Sequence, residues 1–153
     1  IKAYKKLDTD CKLVIVGGVE TESEYFKQLK GMNHADKIIF TGYVYGEELN
    51  ELYSHAALYV LSSRNEGFPL VLLEAMKYDL DVLVSDIPAC RLVKLNDSDY
   101  FPVDDVHALS EKLSHKLKNP LPRKYDLSAF DWKLIARQVE NVYFKLVNGK
   151  HPI

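Results

Sequence analysis

Arg64-Asn65-Glu66-Gly67-Phe68-Pro69-Leu70-Val71-Leu72-Leu73-Glu74-Ala75-Met76 reads as a turn that leaves a strand and opens a helix. The apolar run Ala57 to Leu61 before it suits a buried strand, and Pro69 suits the first helical position, where a missing N–H costs nothing. A helix N-terminus is therefore expected at Phe68 to Val71, with first-turn N–H groups that lack intrahelical acceptors and sit at the positive end of the dipole. Such a turn suits an anion, most naturally phosphate, and Gly67 would let a ligand approach the backbone. Two carboxylates bracket it. Glu66 lies just before, and Glu74 lies past Pro69 by about 7.5 Å along the axis at the helical rise per residue. A diphosphate at this turn would leave one polyhydroxyl group beside Glu66 and another beside Glu74, and a nucleotide sugar has that shape. On spacing alone a surface reading is equally good, with Glu66 complementing the dipole and Glu74 pairing with Lys77.

Outward from this turn, strand-like and helix-like stretches alternate. Upstream, residues 1 to 7 resemble a helix tail with Ala3 and Tyr4 against Leu7. Cys11 to Val16 is a continuous apolar run of the kind covered on both faces, ended by Gly17-Gly18. Thr21-Glu-Ser-Glu24 reads as a capping box for a helix that carries Phe26 and Leu29 inward and stops at Gly31. Lys37 to Phe40 is a second strand, Glu47 to Ser54 a helix with Leu49, Leu52 and Tyr53 on one face, and Ala57 to Leu61 the third strand. Downstream, strands are expected at Asp81 to Ser85 and Asp99 to Val103. Asp104 is expected to cap a helix striped with Val106, Leu109, Leu113 and Leu117 and closed by Asn119-Pro120. Pro120 to Leu127 is an extended linker. Asp131 caps a last helix with Trp132, Ile135, Ala136, Val139, Val142, Tyr143 and Leu146 at helical spacing, stopped by Asn148-Gly149, and Trp132 reads as its core anchor. This alternation predicts a Rossmann-like α/β domain: a parallel sheet with helices on both faces and a ligand crevice at the carboxyl ends of the strands. The organisation is one domain over 1–153, with the C-terminal helix at 128–149.

Composition narrows the function classes. The 153 residues are 47% apolar, enough for a substantial core. With 20 Lys and Arg against 22 Asp and Glu spread through the chain, no nucleic-acid surface stands out. Cys11 and Cys90 make neither a disulfide framework nor metal spacing and read as reduced thiols, and the five histidines form no cluster, so no metal is expected. No apolar run reaches the length of a membrane span and no signal peptide is evident; a cytoplasmic protein is expected. The start at Ile1 suggests a segment of a longer chain.

Glu66 and Glu74, with Gly-Phe-Pro-Leu-Val between them, resemble the paired-glutamate signature of family-four retaining glycosyltransferases of the GT-B fold. The likeness extends to Leu13-Val-Ile-Val-Gly17-Gly18, Ile38-Ile-Phe-Thr-Gly42-Tyr-Val44, Glu48-Leu-Asn-Glu-Leu-Tyr53 and Phe130-Asp-Trp132, in the family's order, across nearly the whole chain. It implies the C-terminal, donor-binding half of a hexosyltransferase. On this resemblance Glu74 corresponds to the carboxylate that holds the ribose hydroxyls, and Glu66 to the one that faces the donor sugar. Phe68, Leu70 and Val71 offer amides to sugar and phosphate, with Gly67 and Pro69 shaping the turn. Backbone groups of the Gly42-Tyr43-Val44 loop hold the base, and Gly17 lies near the donor. A strand end with packing aromatics reads Tyr43 and Val44 as well, and a structural turn reads Gly17 as well. Arg64 reads as solvated or paired locally with Glu66. No cofactor is implied beyond the donor itself, with a UDP-sugar the first expectation. The partners implied are a nucleotide sugar and a glycan or lipid acceptor held by an absent N-terminal domain, and the resemblance implies a full enzyme concerned with polysaccharide synthesis, with a peripheral place at the inner face of a membrane as one expectation.

Departures from the family pattern leave other readings open. Asp79 and Asp81 stand where Gly and Pro are usual, so Asp79 must close the helix in the left-handed conformation. Ser85-Asp-Ile-Pro-Ala-Cys-Arg-Leu92 lacks the usual Gly pair and acid. The family's first strand and its Gly-Arg loop and Lys would precede Ile1, so the strand that the first and third strands here should flank is missing. That predicts a gap filled by another chain or by self-association, strands that close up in altered order, or a marginally stable segment that does not turn over alone. A nucleotide-sugar epimerase of the same architecture and a non-catalytic interaction domain are the alternatives.

Overall fold

The computed structural model describes residues 1–32, 36–147 and 149. Strands and helices alternate as β1 (Leu13–Val16), α1 (Glu24–Gly31), β2 (Ile38–Gly42), α2 (Gly46–His55), β3 (Tyr59–Leu61), α3 (Leu70–Lys77), β4 (Val82–Ser85), the one-turn α4 (Pro88–Arg91), β5 (Tyr100–Phe101), α5 (Val106–Lys118) and α6 (Trp132–Val147). The chain divides into two units, Ile1–Arg123 and Lys124–Ile153. The first holds the five strands, and the second holds α6 after a 3₁₀ turn at Ser128–Phe130.

Every described strand pairing is parallel, as the alternating pattern requires. The sheet comes in two parts, β1 with β2, and β3-β4-β5 with β4 in the middle. Among the described residues β1 and β3 do not pair, and each keeps one edge without a ladder. This break lies where a further strand was expected, and the two strands have not closed up. Its effect on burial is plain. All of β4, from Val82 to Ser85, is buried between neighbours. In β1 the pattern alternates instead, with Val14 37% and Val16 43% exposed, so the expectation of a strand covered on both faces fails there. Apolar composition favours burial but cannot supply the element that does the covering.

The core beneath the three-stranded sheet joins Ala3, Leu83, Phe101 and Leu113, with Leu7, Leu58, Val60, Val106 and Leu109 packed on it. Residues 1 to 7 reach it through a 3₁₀ turn at Tyr4–Lys6 rather than an α-helical tail. The first apolar run proves longer than its strand, because the ladder begins where hydrogen bonds begin: Leu13 N–H donates to Lys37 O at 2.9 Å, two residues into the run, while β2 runs on past Phe40 to Gly42.

Two caps lie elsewhere than expected. Ser23, not Thr21, caps α1 by accepting from Phe26 N–H at 3.2 Å. Asp105, not Asp104, caps α5, accepting from His107 and Ala108 N–H. Adjacent candidates are equivalent by chemistry, and the backbone decides: Asp104 has φ +62°, while Asp105 is extended, as a capping residue must be. Asp131 caps α6 as expected, accepting from Lys133 and Leu134 N–H. Trp132 is 74% exposed, and Val139, Val142, Tyr143 and Leu146 are exposed too, so the stripe of α6 is amphipathic without a buried anchor. Asn148, His34 and His151 lie outside the described residues.

Asp79 closes α3 with φ +56°. Its N–H donates to Met76 O at 2.9 Å and Leu80 N–H donates to Ala75 O at 3.3 Å, the paired bonds of a Schellman motif. Asp81 then turns into the core. Its Oδ1 accepts from Lys116 Nζ at 2.7 Å and from Arg123 at 2.7 Å, and Asp99 Oδ1 accepts from the same cations at 2.7 and 2.6 Å. Removing one member of such a group leaves the others buried and unbalanced. Lys116→Met is therefore expected to destabilise the domain by about 3–5 kcal/mol, read as a lower urea midpoint with an unchanged m-value.

Candidate functional site

The loop after β3 positions the first carboxylate. Glu66 is half-buried, and its Oε1 accepts from the Ser63 hydroxyl at 2.6 Å. Arg64 does not pair with it. Its Nε donates instead to Asp104 Oδ1 at 2.9 Å, which joins this loop to the turn before α5. Pro69 is fully buried and serves as N-cap rather than first helical residue, so α3 starts at Leu70. Leu70 N–H donates to Phe68 O at 3.0 Å and Leu72 N–H to Pro69 O at 3.0 Å. Of the amides considered for phosphate, Leu70 is thus engaged within the turn.

Helical periodicity sorts α3. Leu72, Ala75 and Met76 are buried at core spacing, which leaves Leu70, Val71 and Glu74 on the opposite, exposed face, with Glu74 three and four residues beyond the other two. Glu74 forms no ion pair with Lys77. Its Oε2 accepts from the Tyr53 hydroxyl of α2 at 3.1 Å. The Tyr53 ring stacks on Tyr78 at 5.3 Å between centroids and leans on Tyr59 at 6.1 Å, and the Tyr78 hydroxyl donates to Asn50 Oδ1 at 2.7 Å. Burial, and after it the Glu74 carboxylate, push the Tyr53 phenol up to about 12. Burial pushes Tyr59 up further, helped by Tyr53 and by the charges of Glu74 and Glu66. Burial also raises the Cys90 thiol, with Glu66 and Asp86 adding to it. The charges of both Glu66 and Glu74 thus reach Tyr59.

Tyr53 and Ser63 bond the two carboxylates, and the sequence carries no sign of either beyond the Tyr53 hydroxyl beside Leu49 and Leu52.

The loops after β1 and β2 meet. Gly17 N–H donates to Gly42 O at 2.9 Å. Gly17 has φ +132° and Gly42 φ +71°, and the Tyr43 ring lies so close over Gly18 that a Cβ there would stand 2.6 Å from it. Tyr43 stacks on Tyr45 with centroids 6.3 Å apart, both exposed, and α2 begins directly after them. In the loop after β4, Arg91 is gripped by both oxygens of Asp86 at 2.7 and 2.8 Å and by Asp97 at 2.6 Å, with its guanidinium over the Tyr100 ring. Among the described residues no cluster of His, Cys, Asp or Glu could hold a metal ion, and no helix is long and apolar enough to cross a membrane.

The parallel α/β fold thus brings two carboxylates, Glu66 and Glu74, to the turn between β3 and α3. Residues 1–129 match the family described as glycosyl transferases group 1, and the chain belongs to that family. It is 30% identical over 135 residues to the serotype-specific mannosyltransferase WbdA of Escherichia coli, covering 83% of this chain and 16% of that protein. It is 36% identical over 109 residues to the O-antigen chain mannosyltransferase RfbU of Salmonella typhimurium, covering 69% of this chain and 30% of that protein. The chain thus spans well under half the length of these relatives. Among solved structures it resembles sucrose-phosphate synthase from Thermosynechococcus elongatus, with a TM-score of 0.76 and 25% identity over 90% of this chain and 39% of that one. It shares its fold with the catalytic domain of cholesterol-α-glucosyltransferase from Helicobacter pylori, with a TM-score of 0.63 and 23% identity over 77% of this chain and 75% of that one. These neighbours are GT-B glycosyltransferases.

Gly17→Ala tests the turn. No atom lies within 4 Å of an added Cβ, so any cost is backbone strain at φ +132°, and a loss of about 1–3 kcal/mol in urea unfolding is expected.

Proposed function

We propose that this domain binds the nucleotide-sugar donor of a retaining glycosyltransferase, which moves a hexose to a glycan or lipid acceptor held elsewhere in the protein. The observation that carries the reading is the exposed face of α3. There Leu70, Val71 and Glu74 stand together, with Glu66 in the loop that leads into the helix. Glu74 holds the ribose hydroxyls through the lone pairs that Tyr53 leaves free. Glu66, held by Ser63, faces the sugar and positions it. The leaving diphosphate lies at the start of α3, where the positive end of the helix dipole favours negative charge, and stabilising that charge as it develops is an oxyanion-hole type of contribution. Tyr43 and Val44 border the base. The mannosyltransferase names of the relatives support a hexose donor; uridine diphosphate remains the first nucleotide to test, with guanosine diphosphate beside it. No metal or further cofactor is required, and a cytoplasmic setting, where nucleotide sugars are available, fits the reading.

Asp79, Asp81 and the Ser85–Leu92 loop, which depart from the family, are engaged in closing α3, in the buried charge cluster and in the Arg91 clamp. That gives each of them structural work, and none of the contacts just named involves Leu70, Val71 or Glu74.

Glu74→Gln replaces a charged acceptor of two hydroxyls by a neutral amide, and nucleotide binding by calorimetry is expected to weaken by about 1.5–3 kcal/mol. Unchanged affinity would refute the ribose role. Glu66→Ala is expected to leave free nucleotide binding intact while sugar transfer falls at least tenfold, on the order of one lost transition-state contact. Loss of nucleotide binding in this variant would mean that the two carboxylates exchange roles. Incubation with donor alone, with the sugar recovered unchanged, separates transfer from epimerisation.

A further inference from the structure

We propose that Tyr53 is a positioning residue for the donor: its hydroxyl fixes the Glu74 carboxylate so that the remaining lone pairs are set to receive the two ribose hydroxyls. The proposal rests on the ribose role of Glu74. Glu74 is an exposed residue on the outer face of α3, and a glutamate in that setting samples several rotamers, each of which would have to be frozen when a ligand binds. Here one of its oxygens already accepts from Tyr53 at 3.1 Å. The donor is itself rigid. Its ring stacks on Tyr78 and leans on Tyr59, so the hydroxyl is held by three elements, α2, β3 and the end of α3.

Chemistry fixes the direction of this bond. The Tyr53 phenol, pushed up to about 12, stays protonated at any working pH, and its proton has the carboxylate as acceptor. Tyr53 therefore donates to Oε2 and competes for none of the ligand's donors. Oε1 keeps two lone pairs and Oε2 one, enough for the cis hydroxyls of a ribose. Pre-setting a side chain in its bound geometry raises affinity by lowering the ordering cost of binding.

The test is a cycle on the whole protein, read as nucleotide affinity by calorimetry with uridine and guanosine diphosphates and their 2′,3′-dideoxy counterparts. Tyr53→Phe keeps the ring stack and loses only the hydroxyl. It is expected to weaken binding of the ribonucleotide about three- to tenfold, the range of one net hydrogen bond, and to leave the dideoxy nucleotide within twofold of wild type. In a Glu74→Gln background the same substitution is expected to change affinity less than twofold, since the group it acts through is already altered. Tyr78→Phe is the control, because it removes a neighbouring hydroxyl bonded to Asn50 and is expected to leave the ribose preference unchanged. A Tyr53→Phe penalty that is equal on ribo and dideoxy probes, or that adds in full to Glu74→Gln, would show a structural role and overturn the proposal, as would no penalty at all. If Glu74→Gln alone binds ribonucleotide like wild type, the ribose reading fails first and the positioning role falls with it, which tells the two failures apart.

Discussion

Two aspartates and two cations, nearly withdrawn from water, hold the first unit together. Asp81 comes from the turn between α3 and β4, Asp99 from the residue before β5, Lys116 from the last turn of α5, and Arg123 from the segment after it. Side-chain exposures of 6%, 1%, 8% and 13% mean that each charge depends on the others for what water no longer supplies. Four elements distant in sequence can satisfy that condition in one arrangement. An apolar cluster of the same size would tolerate small slips, while carboxylate and ammonium groups at 2.7 Å do not. The cluster sits at the C-terminal end of α3, so it fixes the end of the helix opposite the candidate site, and with it the direction in which Leu70, Val71 and Glu74 face.

Much of this was legible in the sequence, for definite reasons. The alternation of apolar runs with 3.6-periodic stretches gave the parallel α/β class because period and run length depend on local chemistry alone. The turn at Glu66 was readable because Gly67 and Pro69 both mark a change of backbone direction there, although Pro69 stands as N-cap rather than first helical residue. Asp79 in the left-handed region was foreseen, since a helix that ends there with no glycine must place some residue at positive φ. What escaped depends on long-range pairing. Nothing local distinguishes Asp104 from Asp105, or marks Asp81 and Lys116 as partners 35 positions apart. Burial of β1 and α6 also failed to follow from their apolar content, because exposure depends on which other elements are present to cover them.

The two carboxylates of the site are held in different ways, and that difference shapes how the site can be perturbed. Glu66 is fixed inside its own loop, by Ser63 three residues before it, so its placement is a local matter of backbone conformation. Glu74 is fixed from another element, by a hydroxyl that α2 brings to it. α2 in turn begins immediately after Tyr43, Val44 and Tyr45, so the loop assigned to the base and the carboxylate assigned to the ribose are the two ends of one mechanical connection. α2 thus touches both, while the Ser63 bond that holds Glu66 lies within its own loop. On the roles proposed for them, recognition of the nucleoside and placement of the sugar would be separable in this domain: changes in α2 would act on the first, and changes between Ser63 and Pro69 on the second.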